Sequence, residues 1–398
     1  MTGRHPLLLD LAGRRVVVVG GGPVAARRTS RLVEDGADVL VVAPAICEDL
    51  VELLDRVTWR QRDYLATDLD GAWLVHTATG DRSVDDAVAA DAEAAHLWCV
   101  RADDAAASTA WTPAVARSGD VTVAIGAGGD PRRATALRDA IALLLDTGGL
   151  PLRRHRPGTG SVVLVGGGPG DPGLITTRGR RALAEADVVV VDRLAPRALL
   201  AELDPSVEVI EAGKSPHAHT LTQAEINAVL VERAQAGHRV VRLKGGDPFV
   251  LGRGGEEVLA CIAAGVPVEV VPGVTSALAV PAAAGIPVTH RGLARQLTIL
   301  SAHDTAPDWA TLARLEGTLV LLMGVAQLGS HTRELLAHGK DPGTPVAIIE
   351  RGTLPTQRTT VGTLADIDAL ARERGVGNPA VVVVGDVAAL ADVLGPTV

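Results

Sequence analysis

Four times along this chain a run dominated by β-branched residues ends in a glycine turn: Val16–Val19 into Gly20-Gly21-Gly22-Pro23, Val162–Val165 into Gly166-Gly167-Gly168-Pro169, Val240–Lys244 into Gly245-Gly246-Asp247-Pro248, and Val268–Val271 into Pro272-Gly273. The first of these runs, without polar alternation, reads as a strand covered on both faces, as in parallel sheets. Glycine at a strand end allows a tight turn and close approach of other groups. In α/β sheets ligands sit outside the carboxyl ends of the strands. The pattern therefore commits the chain to an α/β architecture with several candidate ligand loops. At 398 residues the chain exceeds one ordinary core, so two or three domains are expected.

The first segment has the context of a dinucleotide site. Strand Arg15–Val19 leads into the G-x-G-x-x-A pattern Gly20, Gly22, Ala25, then a helix Ala25–Asp35 and a strand Asp38–Ala43. Gly20 makes the turn, Gly22 admits a pyrophosphate, and Ala25 packs helix on strand. The helix N-terminus offers unpaired N–H groups to the phosphates. The second strand ends Val42-Ala43-Pro44, with no acidic residue for the ribose. Ribose recognition then falls to backbone groups near Pro44 and Ala45, which leaves NAD against NADP open. Strand Trp73–Thr79 runs into a small-residue loop on the nicotinamide side. Strand Leu97–Arg101 is followed by Asp103-Asp104, readable as one general base or as a solvated turn or cap. Val121–Gly129 reads as a last strand and glycine turn, followed by a helix Pro131–Leu145. Residues 151–160, with Arg153, Arg154, His155 and Arg156, read as an exposed linker.

In the second half, Pro169–Gly173 carries two prolines that preset the backbone, which suits a rigid wall. Strand Asp187–Val191 ends at Asp192-Arg193, and strand Val207–Ile210 ends before Lys214. His217 and His219 read as a polar loop and not as metal ligands, since no partner cysteine or carboxylate cluster accompanies them. The stretch Val240–Gly255 is read as a main-chain floor, emptied of side chains at Gly245 and Gly246 so that a ligand can lie on it. Strand Val268–Val271 leads to Gly273, Thr275, Ser276 and a helix of small residues. Strands Gln296–Ser301, Thr318–Met323, Val346–Glu350, Gln357–Gly362 and Ala380–Gly385 suggest a separate mixed-sheet subdomain. Met323 and Gly352 fall at strand ends there, Met323 with core packing as its default role.

Composition excludes other classes. Aromatics make up 2% of residues, too few for a base-stacking platform, and a net charge of −9 gives no general attraction to nucleic acid or membranes. Cys47, Cys99 and Cys261 form neither a disulfide framework nor a metal motif, which suits a reducing cytoplasm. The N-terminal residues lack a signal-peptide core and no apolar run reaches transmembrane length. A cytoplasmic chain without membrane or nucleic-acid partners is expected.

The motifs VGGGPGDPGLIT, VVVDRL, VRLKGGDPFVLGRGGEE, VPGVTSA and GIPVTHR resemble the tetrapyrrole C-methyltransferases, specifically those acting on uroporphyrinogen III. LDLAGRRVVVVGGGPVAARR through VAIGAGGDPRRA is similar to the precorrin-2 dehydrogenase/ferrochelatase module. In this order the two resemble the multifunctional siroheme synthases. The resemblance implies a Rossmann-type NAD-binding domain (1–150), the linker, and a two-subdomain α/β methylase (161–398, subdomains about 161–273 and 274–398). It implies S-adenosylmethionine in a cleft between those subdomains. Matching positions are Pro169, Gly245, Gly246, Asp247, Val250, Thr275, Ser276, Met323 and Gly352, with Asp192 and Lys214 as proton acceptor and donor. For NAD it implies Pro23, Val24, Pro44 and Ala45 beside Gly20 and Gly22, and Asp103 as the acid/base carboxylate. A tetrapyrrole substrate, Fe²⁺ as substrate of a third step, no resident metal, and a homodimer are also implied. Arg242, Arg253, His290, Arg291 and Arg295 are the candidates to meet the substrate carboxylates. Two departures bear on the chelatase step: most of the helical segment joining the halves in the family is missing here, and Ala127 stands where the family often has serine. The alternative is a methyltransferase whose N-terminal half is a degenerate NAD-binding or dimerisation module.

Overall fold

The computed structural model describes residues 5–150, 152–154, 158–213, 221–302 and 307–396. The chain divides into two compact units, Met1–Ala140 and Ile141–Val398.

In the first unit the elements run β1 (Arg15–Val19), α1 (Pro23–Glu34), β2 (Asp38–Val42), α2 (Glu48–Val51), β3 (Thr58–Arg60), β4 (Leu74–Thr77), α3 (Arg82–Ala94), β5 (Trp98–Arg101), β6 (Ala114–Ser118) and β7 (Val121–Ile125). Helix α4 (Pro131–Asp146) follows and runs across the division. Five strands form a parallel sheet in the order β3-β2-β1-β4-β5. The all-valine run of β1 explains its central place. Val16 and Val18 pack with Ala25, Ala26, Leu32 and Val33 of α1, and Val17 and Val19 pack with Val88 and Ala92 of α3. The segment read as a last strand, Val121–Gly129, joins no parallel sheet: β7 pairs antiparallel with β6 in a separate two-stranded hairpin.

The second unit continues with β8 (Ser161–Gly166), α5 (Thr177–Ala184), β9 (Val188–Val191), β10 (Glu208–Glu211), α6 (Gln223–Gln235), β11 (Arg239–Lys244), α7 (Gly254–Ala263), β12 (Val268–Val271) and α8 (Ser276–Ala283). Then come β13 (Leu297–Ser301), α9 (Trp309–Arg314), β14 (Thr318–Leu322), α10 (Leu328–Ala337), β15 (Pro345–Glu350), β16 (Arg358–Thr363), α11 (Ile367–Glu373), β17 (Ala380–Val384) and α12 (Ala391–Leu394). Strands β10-β9-β11-β8-β12 form a parallel sheet. Its faces are covered by Ala182 and Leu183 of α5 on one side and by Ile226, Leu230 and Cys261 of α6 and α7 on the other. The last five strands form a second sheet, β13-β14-β17-β15-β16, in which β17 runs antiparallel to both neighbours. The sheet is mixed, parallel between β13 and β14 and antiparallel elsewhere. Helix α8 packs on this second sheet through Ala277 and Val280.

Candidate active sites

In the second unit the carboxyl ends of β8, β11 and β12 meet mainly through main chain. Gly246 N–H donates to Gly168 O at 2.6 Å and Gly168 N–H donates back at 3.2 Å, while Gly167 N–H reaches Lys244 O at 2.8 Å. A Cβ on Gly273 would stand 2.3 Å from Gly246 O, and one on Gly166 would stand 2.5 Å from Gly273 N. The glycines are required because three strand ends touch. This corrects the reading of a floor vacated for a ligand at Gly245, where a Cβ would meet Leu194 O at 2.7 Å. Gly246 is itself buried, but a Cβ there would make ordinary contacts only, with Ser276 N at 3.5 Å; its φ of +65° is what calls for glycine. Asp247 ties the loops together, accepting from Gly273 N–H at 3.0 Å and from Phe249 N–H at 2.8 Å.

Helix α8 brings the rest of the cleft to this point. Thr275 is its N-cap, accepting from Ala277 N–H at 3.4 Å, and Ser276 is its first residue. Gly352 lies against the same helix, so close that a Cβ would stand 2.4 Å from Val280 Cγ1. The loop holding Pro169 and Gly170 rests on the loop after β15: Asp171 N–H donates to Thr353 Oγ1 at 3.2 Å, and a Gly170 Cβ would lie 3.1 Å from Leu354. Met323 overturns its default role. It leaves β14 with φ +61° and is 44% exposed, which is not core packing. β14 and β15 flank β17 and share its antiparallel pairing, so Met323 and Gly352 leave the sheet at the same end. Val250 is half-buried in the loop before α7. Around buried Gly246, Pro169, Thr275 and Ser276 are half-buried and Met323 is exposed.

Asp192 sits at the end of β9 with its side chain 38% exposed. Its ion-pair partner is Arg242 at 3.6 Å, not the adjacent Arg193. Arg242 corrects a second expectation. It is 2% exposed, and its Nε donates to Glu257 at 2.9 Å, so it is not available to substrate carboxylates. Lys244 is buried beside it and donates to the same Glu257 oxygen at 3.1 Å. Burial and the neighbouring Arg242 lower the Lys244 ammonium below its ordinary value, with Glu257 opposing them. Arg253, His290, Arg291 and Arg295 are exposed, Arg253 with a 2.7 Å contact to Glu256. Lys214, His217 and His219 lie outside the described residues, as do His155 and Arg156 of the linker.

In the first unit, Gly20 has φ +126°, and a Cβ there would be 2.3 Å from Ala78 O, so this glycine lets β1 meet the loop after β4. At Gly21 the space is taken by Ala45 O, which brings Pro44 and Ala45 to the turn. Gly22 differs: it is the N-cap of α1, offers no side-chain cap, and a Cβ there would find nothing within 4 Å. Pro23 and Val24 are exposed in the first turn. An uncapped helix start with a clear approach fits a pyrophosphate. Ala25 is fully buried against β1, as the fingerprint requires. No motif pointed to Arg28, whose guanidinium reaches Val100 O at 3.0 Å and Thr77 O and Arg101 O at 3.4 Å, bracing the ends of β4 and β5. Nor did any motif announce Asp85, buried in α3 and accepting from Thr79 Oγ1 at 2.7 Å. His76 is buried on β4, and burial, with Arg28 nearby, pushes it down to about 3; it is neutral at physiological pH.

The two aspartates separate. Asp104 is a loop cap, accepting from Ala106 N–H at 2.9 Å and Ala107 N–H at 3.2 Å. Asp103 is gripped by Arg101, from Nε at 3.0 Å and Nη2 at 2.7 Å. That grip holds the Asp103 carboxyl below its ordinary range, outweighing the effect of burial. The indole of Trp111 donates to Ala105 O at 2.7 Å and lies 3.5 Å from where a Gly129 Cβ would be, so the aspartate loop reaches the turn that holds Gly126 and Ala127.

Residues 161–368 match the family of tetrapyrrole (corrin/porphyrin) methylases, and residues 7–114 match a putative NAD(P)-binding family. A siroheme synthase from Tolumonas auensis is 37% identical, over 98% of this chain and 95% of that protein. That alignment spans 448 positions against a chain of 398, so the relative carries residues with no counterpart here. An S-adenosyl-L-methionine-dependent uroporphyrinogen III methyltransferase from Methanosarcina barkeri is 54% identical over 59% of this chain and 95% of that protein. Among solved structures, uroporphyrin-III C-methyl transferase from Thermus thermophilus complexed with S-adenyl homocysteine is 43% identical, covering 58% of this chain and 100% of that one with a TM-score of 0.51. Matched in each half by its own family and aligned nearly end to end, this chain belongs to the tetrapyrrole methylases, as a siroheme synthase family member with an NAD(P)-binding N-terminal half.

Proposed function

We propose that the chain methylates uroporphyrinogen III at carbon, giving precorrin-2, and that its first half then oxidises precorrin-2 to sirohydrochlorin with NAD. Insertion of Fe²⁺, as substrate, completes the route to sirohaem. The dehydrogenase half is residues 1–150, the linker 151–160 and the methyltransferase 161–398. The observation that carries the reading is the joint presence of both glycine-bearing sites within one chain aligned almost throughout to siroheme synthases.

S-adenosylmethionine supplies an electrophilic methyl: an electron-rich pyrrole carbon forms the new C–C bond as the C–S bond breaks, its electron pair staying on sulfur. The chain's task is alignment, which can contribute several orders of magnitude. Thr275, Ser276, Gly246, Met323 and Gly352 hold the donor. Asp192, half-exposed at the strand end, faces the cation that develops on the ring and accepts its proton. Arg253, His290, Arg291 and Arg295 supply the positive charge for the substrate carboxylates. Held at Gly22, Pro23, Val24, Pro44 and Ala45, NAD would supply the hydride acceptor for the second step, and Asp103 takes the accompanying proton. The same carboxylate would collect pyrrole protons as iron enters. Among the described residues no group of three or more His, Cys, Asp or Glu could hold a metal ion, and no helix is long and apolar enough to cross a membrane. A homodimer follows from the resemblance and is checked by sedimentation.

A narrower reading keeps the methyltransferase and makes the first half a degenerate module. The missing ribose carboxylate after β2 and the shortened middle of the chain favour it. Sequential addition decides between them: uroporphyrinogen III with S-adenosylmethionine, then NAD, then Fe²⁺, with an absorption spectrum after each. A spectral change at every step supports the full sequence; a change at the first alone leaves the narrower reading.

A further inference from the structure

Strand β11 carries Arg242 and Lys244 on the face opposite Val241 and Leu243, in the middle of a five-stranded sheet. A cation at such a place is costly unless paired and hydrogen-bonded. Both cations converge on Oε1 of Glu257, which is 0% exposed and also accepts from Gln223 Nε2 at 3.2 Å. Oε2 of Glu257 has no hydrogen-bond partner among the described residues. Arg242 Nη1 reaches Val190 O at 3.3 Å, on β9 two residues before Asp192. Nη2 then faces Asp192 Oδ1 at 3.6 Å. Two cations and two carboxylates thus balance, and of the four groups Asp192 alone is substantially open to solvent. Replacing a buried charge network by apolar side chains is often neutral or stabilising, so stability alone does not account for this one. Its geometry does something apolar packing cannot: it grips a guanidinium from behind and turns one edge of it toward a strand-end carboxylate.

We propose, resting on the assignment of Asp192 to the reacting ring, that Arg242 is a positioning residue for methyl transfer, anchored by Glu257 and holding the Asp192 carboxylate in the orientation that meets the ring. Lys244 completes the charge balance of the anchor. Arg242 touches no substrate; it acts through Asp192.

The test uses the full-length chain with uroporphyrinogen III and S-adenosylmethionine. Asp192→Asn is compared with the paired variant Arg242→Met with Glu257→Gln, which removes one charge of each sign, and with all three changes together. The paired variant is expected to bind S-adenosylmethionine with unchanged Kd by calorimetry, to keep its KM, and to lose kcat by about 10–100-fold, the scale of a misplaced reacting group. Adding Asp192→Asn should cause no further loss. Losses that multiply would show that Arg242 acts independently and overturn the proposal. Wild-type kcat in the folded paired variant beside an impaired Asp192→Asn would also overturn it, while leaving the role of Asp192 intact. Wild-type kcat in Asp192→Asn would remove both. If the paired variant does not fold, Arg242→Lys carries the test: it keeps the charge at Glu257 but lacks the fork, and should lower kcat with Kd unchanged, whereas unchanged kcat overturns the proposal.

Discussion

Arg101 is 6% exposed, yet its guanidinium meets two carboxylates, Asp103 through Nε and Nη2 and Asp86 through Nη1 at 2.5 Å. Because the contact to Arg101 depresses the Asp103 carboxyl, the base proposed for oxidation is ionised at lower pH than a free aspartate would be. Its activity as a proton acceptor is therefore present above that lowered value and lost only as pH falls through it. In Arg101→Gln the carboxyl rises toward its ordinary value, and the acid limb of kcat/KM for precorrin-2 oxidation should move to higher pH; an unmoved limb would assign the base elsewhere. Asp68 gives a stability counterpart. Burial would raise it, but hydrogen bonds from Arg62, the Leu65 N–H and Arg60 overcome that and bring it from 3.8 to about 2. A carboxyl depressed in the folded state stabilises above its unfolded value, and the benefit disappears as pH falls toward the folded one. Because both arginines are partly exposed, the contribution is at most about 2 kcal/mol. Asp68→Asn should thus lower the thermal midpoint at pH 7 and make no difference near pH 2, measured by circular dichroism.

At the scale of elements, the turn between β1 and α1 separates two roles that its sequence presents as one glycine run. Gly20→Ala sets a Cβ against Ala78 O in a left-handed backbone and should reduce folding of the first unit, seen as a lowered thermal midpoint. Gly22→Ala enters an open space at φ −86°, so the midpoint should stay and NAD affinity should fall about tenfold or more in a fluorescence titration, because the methyl stands in the approach of the pyrophosphate. Strands such as β1 and β9 were legible because an uninterrupted apolar run has few other homes. β3 was not, since Thr58-Trp59-Arg60 is a three-residue edge strand, too short for its alternation to stand out. β6 escaped for a related reason: Ala114–Ser118 pairs only with its hairpin neighbour, and Arg117 interrupts it. The burial of Arg242 could have been read from a charge set inside an apolar strand, with Glu256 and Glu257 the nearest candidates on the following helix. What one dimension does not display is which of the two faces the sheet, or that Gly245 is filled by Leu194 while Gly246 is not.

On the scale of the whole molecule, two separately folded units predict separable chemistry. The methyltransferases of Methanosarcina barkeri and Thermus thermophilus match this chain over its second part with nearly their entire lengths. Gly22→Ala should therefore accumulate the dimethylated intermediate at a normal rate, and Asp192→Ala should block methylation while NAD still binds. Mixing the two variants should restore the full conversion, read from the final spectrum, if the intermediate passes through solution; no restoration would mean that it is handed over within one chain. The junction of β8, β11 and β12 has a further bearing. Peptide groups of Gly166, Gly168, Gly246 and Gly273 lie directly on one another, with the Asp247 carboxylate as their side-chain tie. An inhibitor lodged against half-buried Thr275 and Ser276, beside that junction, would meet a wall that mutation cannot easily reshape without prising the strands apart. Resistance would have to arise from the rim, where Val250 and Met323 project and substitution is cheap in stability.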